Sequence, residues 1–139
     1  MKIKIKLLHP DAIMPSYAHP GDAGLDIYSL EDCVIAPQKI KRFNLGFTLE
    51  LPVGYVSIMM DRSGLALKGI HNVAGVIDAG YRGEYACALS NLSSEPVEIK
   101  KSDRISQLVI IPCAAAELKL ADELSDSARG TGGFGSTGK

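Results

Sequence analysis

The sequence has no tryptophan, only three phenylalanines and five tyrosines, and no long uninterrupted apolar run. No stretch approaches the length of a membrane-spanning helix, and the first residues alternate charged with apolar side chains where a secretory leader needs a continuous hydrophobic segment. A soluble, cytoplasmic protein without a membrane partner is therefore expected. Cysteine is scarce as well. Cys33, Cys87 and Cys113 are odd in number, far apart and without Cys-x-x-Cys or nearby histidine spacing, which indicates neither a disulfide framework nor a zinc site and leaves reduced core residues as the expectation. There is no excess of either charge: 15 basic and 16 acidic side chains leave a net charge of -1. Generic nucleic-acid binding has no basic field to rest on, so a small ligand met by a local cluster of donors is the expected partner. A chain of 139 residues suits one domain with a core of its own.

What the chain does contain is a series of short strand signals. Lys2–Leu8 alternates lysine with Ile3, Ile5 and Leu7, as a half-buried edge strand does. From Phe43 to Leu51 every odd position is large and apolar, the clearest single strand of the sequence. Tyr55–Met60, Tyr85–Leu89, Pro96–Ile99 and Arg104–Ile111 supply further strands. Ala114–Leu124 is rich in helix formers and reads as a helix by propensity, with an extended segment as the competitor because context overrides propensity in so short a piece. The last 11 residues, RGTGGFGSTGK, hold five glycines and are expected to be flexible. The domain is accordingly read as residues 1–128 and the tail as residues 129–139.

Four polar segments punctuate the strands. The central one, NVAGVIDAGYRGE from Asn72 to Glu84, sets Asp78 between Val76–Ile77 and a glycine-rich turn. Gly75, Gly80 and Gly83 are expected to supply backbone angles that side chains forbid, making a β-hairpin whose N–H and C=O groups can read the edge of a planar base. Tyr81 adds a flat face. Arg62, Ser63 and Gly64, at the end of a buried strand, offer a guanidinium fork, a hydroxyl and an unobstructed amide, donors suited to phosphate oxygens. Asp26, read as the start of a strand, is either a turn-capping group or the holder of a water of a magnesium ion. Gln107 precedes a continuously apolar run and needs a polar partner. In the tail, GFGSTGK has phosphate-loop spacing but lacks the Ser or Thr after the lysine and any following helix, so the Walker reading fails. Its glycines can still wrap N–H groups around a phosphate, and Phe134 can stack on a base.

Taken in order, PGDAGLDIYS, RSGLALKG, NVAGVIDAGYRGE, DRISQLVIIP and RGTGGFGSTG resemble the five motifs of the trimeric dUTPase family, spanning Pro20 to Gly138. The resemblance implies an all-β, distorted jelly-roll fold and a homotrimer with active sites shared between chains. The implied reaction is hydrolysis of dUTP to dUMP and pyrophosphate with Mg2+. It further implies that Gly75, Val76, Ile77 and Asp78 grip uracil, that Asn72 contacts the base, that Tyr81 lies under the deoxyribose and that Asp78 activates the attacking water. By the same resemblance Arg62, Ser63, Gly64 and Gln107 meet the phosphates and Asp26 holds the metal through water. Arg129, Phe134, Gly135, Ser136 and Thr137 close over the bound nucleotide. Two departures stand out: Asp61 replaces the family's usual proline and sets a negative charge beside Arg62, and Gly80 replaces a second acid, so Asp78 is expected to be the only carboxylate at the tip. The alternatives are a dCTP deaminase-related enzyme, for which Ala88 stands where that branch carries its glutamate base, and a nucleotide-binding trimer without turnover.

Overall fold

Runs of alternating or continuous apolar residues, cut short by Pro, Gly and Asp, make short strands. The computed structural model describes residues 1–133, and these hold 11 strands and one helical turn. In chain order they are β1 (Lys4–Leu7), β2 (Gly24–Tyr28), β3 (Cys33–Ile35), β4 (Ile40–Asn44), β5 (Phe47–Glu50) and β6 (Tyr55–Met60). There follow α1 (Ser63–Ala66), β7 (Ile70–Asn72), β8 (Val76–Asp78), β9 (Ala86–Asn91), β10 (Val97–Ile99) and β11 (Arg104–Pro112). No helix among the described residues is long and apolar enough to cross a membrane.

Sequence neighbours are mostly not sheet neighbours. One sheet has the order β2-β11-β6-β8 and a second the order β4-β9-β7, while β1 pairs with β5 and β3 with β10. These pairings are antiparallel, and such crossing connections are those of a jelly roll. The all-β expectation therefore holds. The core between the sheets is built on Ile27, Phe43, Tyr85, Leu89, Ile105 and Leu108, all essentially inaccessible to solvent. A large polar side chain within it, Asn91, is satisfied: its Nδ2 donates to the carbonyls of Ile35 (2.8 Å) and Glu95 (2.7 Å), and its Oδ1 accepts from Ser93.

Three sequence expectations change. Phe43, Leu45, Phe47, Leu49 and Leu51 are all buried, as a period of two demands, yet the run is split between β4 and β5, strands of different sheets. The break is at Gly46, whose φ of +68° favours glycine and where a Cβ would come within 2.9 Å of the side chains of His9, Ala12 and Leu30. The segment Ala114–Leu124 contains no helix. A helix of that length is held by packing one face, and among the described residues Leu118, Leu120 and Leu124 find no packing partner, each being at least 90% exposed. The segment instead continues outward from β11, with the Cys113 N–H bonded to the Gly54 carbonyl at 2.8 Å. Finally, Cys87 is a core residue, its thiol pushed up to about 12 by burial, but Cys113 is exposed and Cys33 only partly covered.

Candidate active site

The centre of the site is a gap between two strand edges. β8 pairs only with β6, at the border of its sheet, and does not pair with the strand that leaves its own turn. β9 pairs with β4 through Ala86–Ser90 and with β7 through Leu89–Asn91. Opposite β8 the stretch Ala86–Ala88 thus lacks a second partner strand, and the predicted hairpin is an open slot. An unpaired edge presents a row of N–H and C=O groups, and here two edges face one another. Two adjoining clefts of about 270 and 240 Å³ occupy the gap, both lined by Val76, Ile77, Ala86 and Arg42. The slot closes where the Val73 N–H meets the Ala88 carbonyl at 3.0 Å. Its wall needs Gly75 for closeness and not for backbone angle. A Cβ there would lie 2.8 Å from the Met59 carbonyl oxygen, while the Met59 N–H already bonds Gly75 O at 2.9 Å. Gly75, Gly80 and Gly83 all lie outside the left-handed region, which corrects the expectation placed on them.

Asp78 ends β8 at the mouth of the larger cleft, exposed, with the Tyr81 N–H closing the turn onto its carbonyl at 3.1 Å. Tyr81 shares this cleft. Its ring leans on buried Tyr85 with centroids 6.0 Å apart, and its hydroxyl donates to the Glu84 carbonyl at 3.0 Å. Tyr85 in turn stacks on Phe47 at 5.2 Å and hydrogen-bonds Ser57 Oγ at 3.0 Å, so Tyr81 stands on an anchored aromatic. Burial raises the Tyr85 hydroxyl above its ordinary range against the Ser57 hydrogen bond that lowers it. Asp78 is not the only carboxylate here, because Glu84 lines the same cleft. Glu84 Oε1 is engaged, however, accepting the Gly46 N–H at 2.9 Å. Arg42 was not singled out from the sequence; the available signal was its place on the polar side of the alternating run beside Phe43.

A second, polar cleft of about 450 Å³ contains Arg62, Lys68 and Arg104 together with Tyr28, Glu98 and Asp103. Arg62 reaches it as the residue preceding α1, where its carbonyl accepts the N–H groups of Leu65 and Ala66 at 2.9 Å each. No side chain caps this turn, and the first N–H groups of a helical turn have no partner within it; Ser63 and Gly64 occupy those positions. Asp26 lies in the middle of β2 and not at a strand start. It is 4% exposed, and its Oδ2 accepts from Arg104 at 3.1 Å. Gln107 pairs with Asp26 on one side and Met60 on the other, its side chain lying across Gly24. The polar cleft and the slot share no lining residue. Arg129 is turned into its own loop, Nε donating to the Gly132 carbonyl at 2.8 Å. Phe134, Gly135, Ser136 and Thr137 lie outside the described residues.

Asp61 departs most from expectation. Its carboxylate turns away from Arg62 toward β7: Oδ2 pairs with His71 Nδ1 at 2.7 Å, and Oδ1 accepts the Asn72 backbone N–H at 2.6 Å and Asn72 Nδ2 at 3.3 Å. Burial alone would push this carboxyl up, but those hydrogen bonds outweigh it and hold it below the ordinary value.

A dUTPase family model matches residues 10–138. The chain is 46% identical to the deoxyuridine 5'-triphosphate nucleotidohydrolase of Nautilia profundicola, with both chains covered in full. It is 43% identical to that of a Picosynechococcus species over 99% of each chain. In structure it resembles a mutant dUTPase of Staphylococcus bacteriophage 80alpha solved with dUpNHpp, at a TM-score of 0.92 and 33% identity over 99% of each chain. It also resembles a mutant dUTPase of phage phi11 of S. aureus, described with the coordination of a structural Mg(II) ion, at a TM-score of 0.84 and 28% identity. That match covers 91% of this chain and 100% of the phage chain.

Proposed function

The chain belongs to the dUTPase family and is a dUTP diphosphatase, and from that premise we propose how its own residues carry the reaction. dUTP is hydrolysed to dUMP and pyrophosphate, which keeps uracil out of DNA and supplies dUMP. The single observation that carries the residue assignment is the open slot between β8 and Ala86–Ala88 with Asp78 and Tyr81 at its mouth.

In this reading uracil enters the slot edge-on and pairs with backbone groups of Gly75–Asp78, much as it would with a base. Two alanines on the opposite wall leave room for the flat ring. The close backbone of Gly75 leaves no pocket for thymine's methyl group, and Tyr81, braced on Tyr85, fills the space of a ribose 2′-hydroxyl. Asp78 accepts a proton from a water as that water's oxygen bonds to the α-phosphorus, and the bond from that phosphorus to the bridging oxygen breaks, releasing pyrophosphate. Arg62, Ser63, Gly64 and Gln107 bind phosphate oxygens, and the tail from Arg129 through Phe134, Gly135, Ser136 and Thr137 excludes water.

Asp26 can accept from a metal-bound water through the oxygen that Arg104 leaves free. Among the described residues no three His, Cys, Asp or Glu side chains gather as a self-sufficient cage. One buried carboxylate suits a hydrated Mg2+ carried by the triphosphate, since that ion keeps much of its water. When bound, Mg2+ neutralises charge on the phosphate oxygens.

We further read the protein as a cytoplasmic homotrimer with shared sites. Two features support this: the phosphate-type cleft and the slot are lined by disjoint residues of one chain, and Leu118, Leu120 and Leu124 are left bare. The reading of residues 1–128 as the folded domain and 129–139 as its closing tail belongs with it. Pyrophosphate release across dUTP, dTTP, dCTP and UTP tests the function. Turnover of dUTP alone is expected; release of ammonia from dCTP, or binding without turnover, would overturn it.

A further inference from the structure

Asp61 directly follows β6 and Asn72 ends β7, strands of different sheets, and a single carboxylate oxygen joins the two residues. Oδ1 holds both the backbone N–H of Asn72 at 2.6 Å and its side-chain Nδ2 at 3.3 Å. The opposite face of the same amide, Asn72 Oδ1, looks at Ser106 Oγ across 3.4 Å. That hydroxyl has one proton, and the Met60 carbonyl takes it at the better distance of 2.9 Å. The orientation of the Asn72 amide is therefore decided from its nitrogen side. An ionised carboxylate only accepts hydrogen bonds, so an inverted Asn72 would set oxygen against oxygen. Asp61 stays ionised because the three donors around it outweigh its partial burial. Asn72 ends β7, and the next residue, Val73, closes the uracil slot against Ala88.

We propose that Asp61 is a positioning residue for base selection: it locks the Asn72 amide with its remaining N–H available to the substrate, which favours the C4 oxygen of uracil over the C4 amino group of cytosine. This rests on the assignment of the slot to uracil and on a base contact by Asn72, which adjoins the slot through Val73 but is not among the residues lining its clefts. Uracil accepts at C4 where cytosine donates, so an inverted amide would reverse the preference at that one contact. The second carboxylate oxygen, bound to His71, takes no part in the lock.

The test is kinetic. Asp61→Asn places at this position an amide that can donate or accept, and frees Asn72 to invert. For the trimeric full-length protein we expect KM for dUTP to rise about three- to tenfold, the worth of one neutral hydrogen bond, with kcat within about twofold of wild type. The inhibition constant of dCTP as a competitor should fall. In an Asn72→Ala background the same substitution should do nothing further, because no amide remains to orient. His71→Ala should leave the dUTP to dCTP ratio unmoved, whereas a role confined to tying β6 to β7 would be disturbed by it. If Asp61→Asn fails to fold in a thermal melt, Asp61→Ser replaces it with the same expectations. An unchanged ratio in the variant, or an undiminished effect without Asn72, overturns the proposal while the wild type still turns over dUTP. A wild type inactive on dUTP removes the functional reading and this inference with it.

Discussion

At the residue scale the proposed reading gives the role of base to Asp78, because Glu84, the other carboxylate in its cleft, is tied to the Gly46 N–H. Asp78→Asn is expected to preserve the fold and nucleotide binding while kcat falls by ~10²–10⁴, the usual worth of a positioned base; single-turnover pyrophosphate release checks it. On the proposed reading Tyr81→Ala removes a steric gate and no reacting group, so its expected signature is a rise in UTP turnover relative to dUTP, read from kcat/KM for each. Asp61 carries a pH signature. Its folded-state carboxyl lies below its ordinary value of 3.8, so its contribution to stability is complete above that value and is lost as pH falls through the lowered one. Chemical denaturation of Asp61→Asn should therefore lose less stability than wild type as the solution is acidified through that range, although the variant starts from a lower value at neutral pH.

At the scale of elements, the slot depends on how closely β8 approaches β6. Gly75→Ala forces a Cβ toward the Met59 carbonyl, a backbone atom that cannot rotate away. It is expected to cost about 1–3 kcal/mol of stability, as overpacking does. It should also raise KM for dUTP, because the Met59–Gly75 hydrogen bond that sets the slot width is displaced. Thermal melts and KM together check it, and an Ala variant with native KM would show that the slot wall has slack. The element expected as a helix, Ala114–Leu124, illustrates the converse. Its composition favours helix, but a piece this short is decided by what it packs against.

At the scale of the whole molecule, one chain keeps the polar cleft and the slot apart, and the proposed reading joins them across a trimer. Ending the chain before Gly130 should leave assembly and melting temperature nearly unchanged while most activity disappears, since a glycine-rich tail buries little. Co-refolding Asp78→Asn chains with tail-less chains should then restore activity from two inactive parents. Random equal mixing into closed trimers gives about a quarter of sites a good Asp78 from one chain and a good tail from another. A mixture that stays inactive while mixed trimers form would show that each tail serves its own chain.

Local physics made much of this legible from the amino acids. Alternation placed Phe43, Leu45, Phe47, Leu49 and Leu51 in the core, and all five are buried. The polar segments marked Asp78, Tyr81 and Arg62, which line the clefts, and the order of five motifs pointed to the family. The partnership of edges was decided only in three dimensions. Whether β8 pairs with β6 or with β9 depends on which strand the whole sheet brings alongside, and no spacing within Asn72–Glu84 encodes it. The same holds for Asp61. Its neighbour in sequence is Arg62, which suggested a charge beside the phosphates. In the folded chain the donors on β7 lie closer to hand, and a carboxylate turns to the donors that best satisfy it.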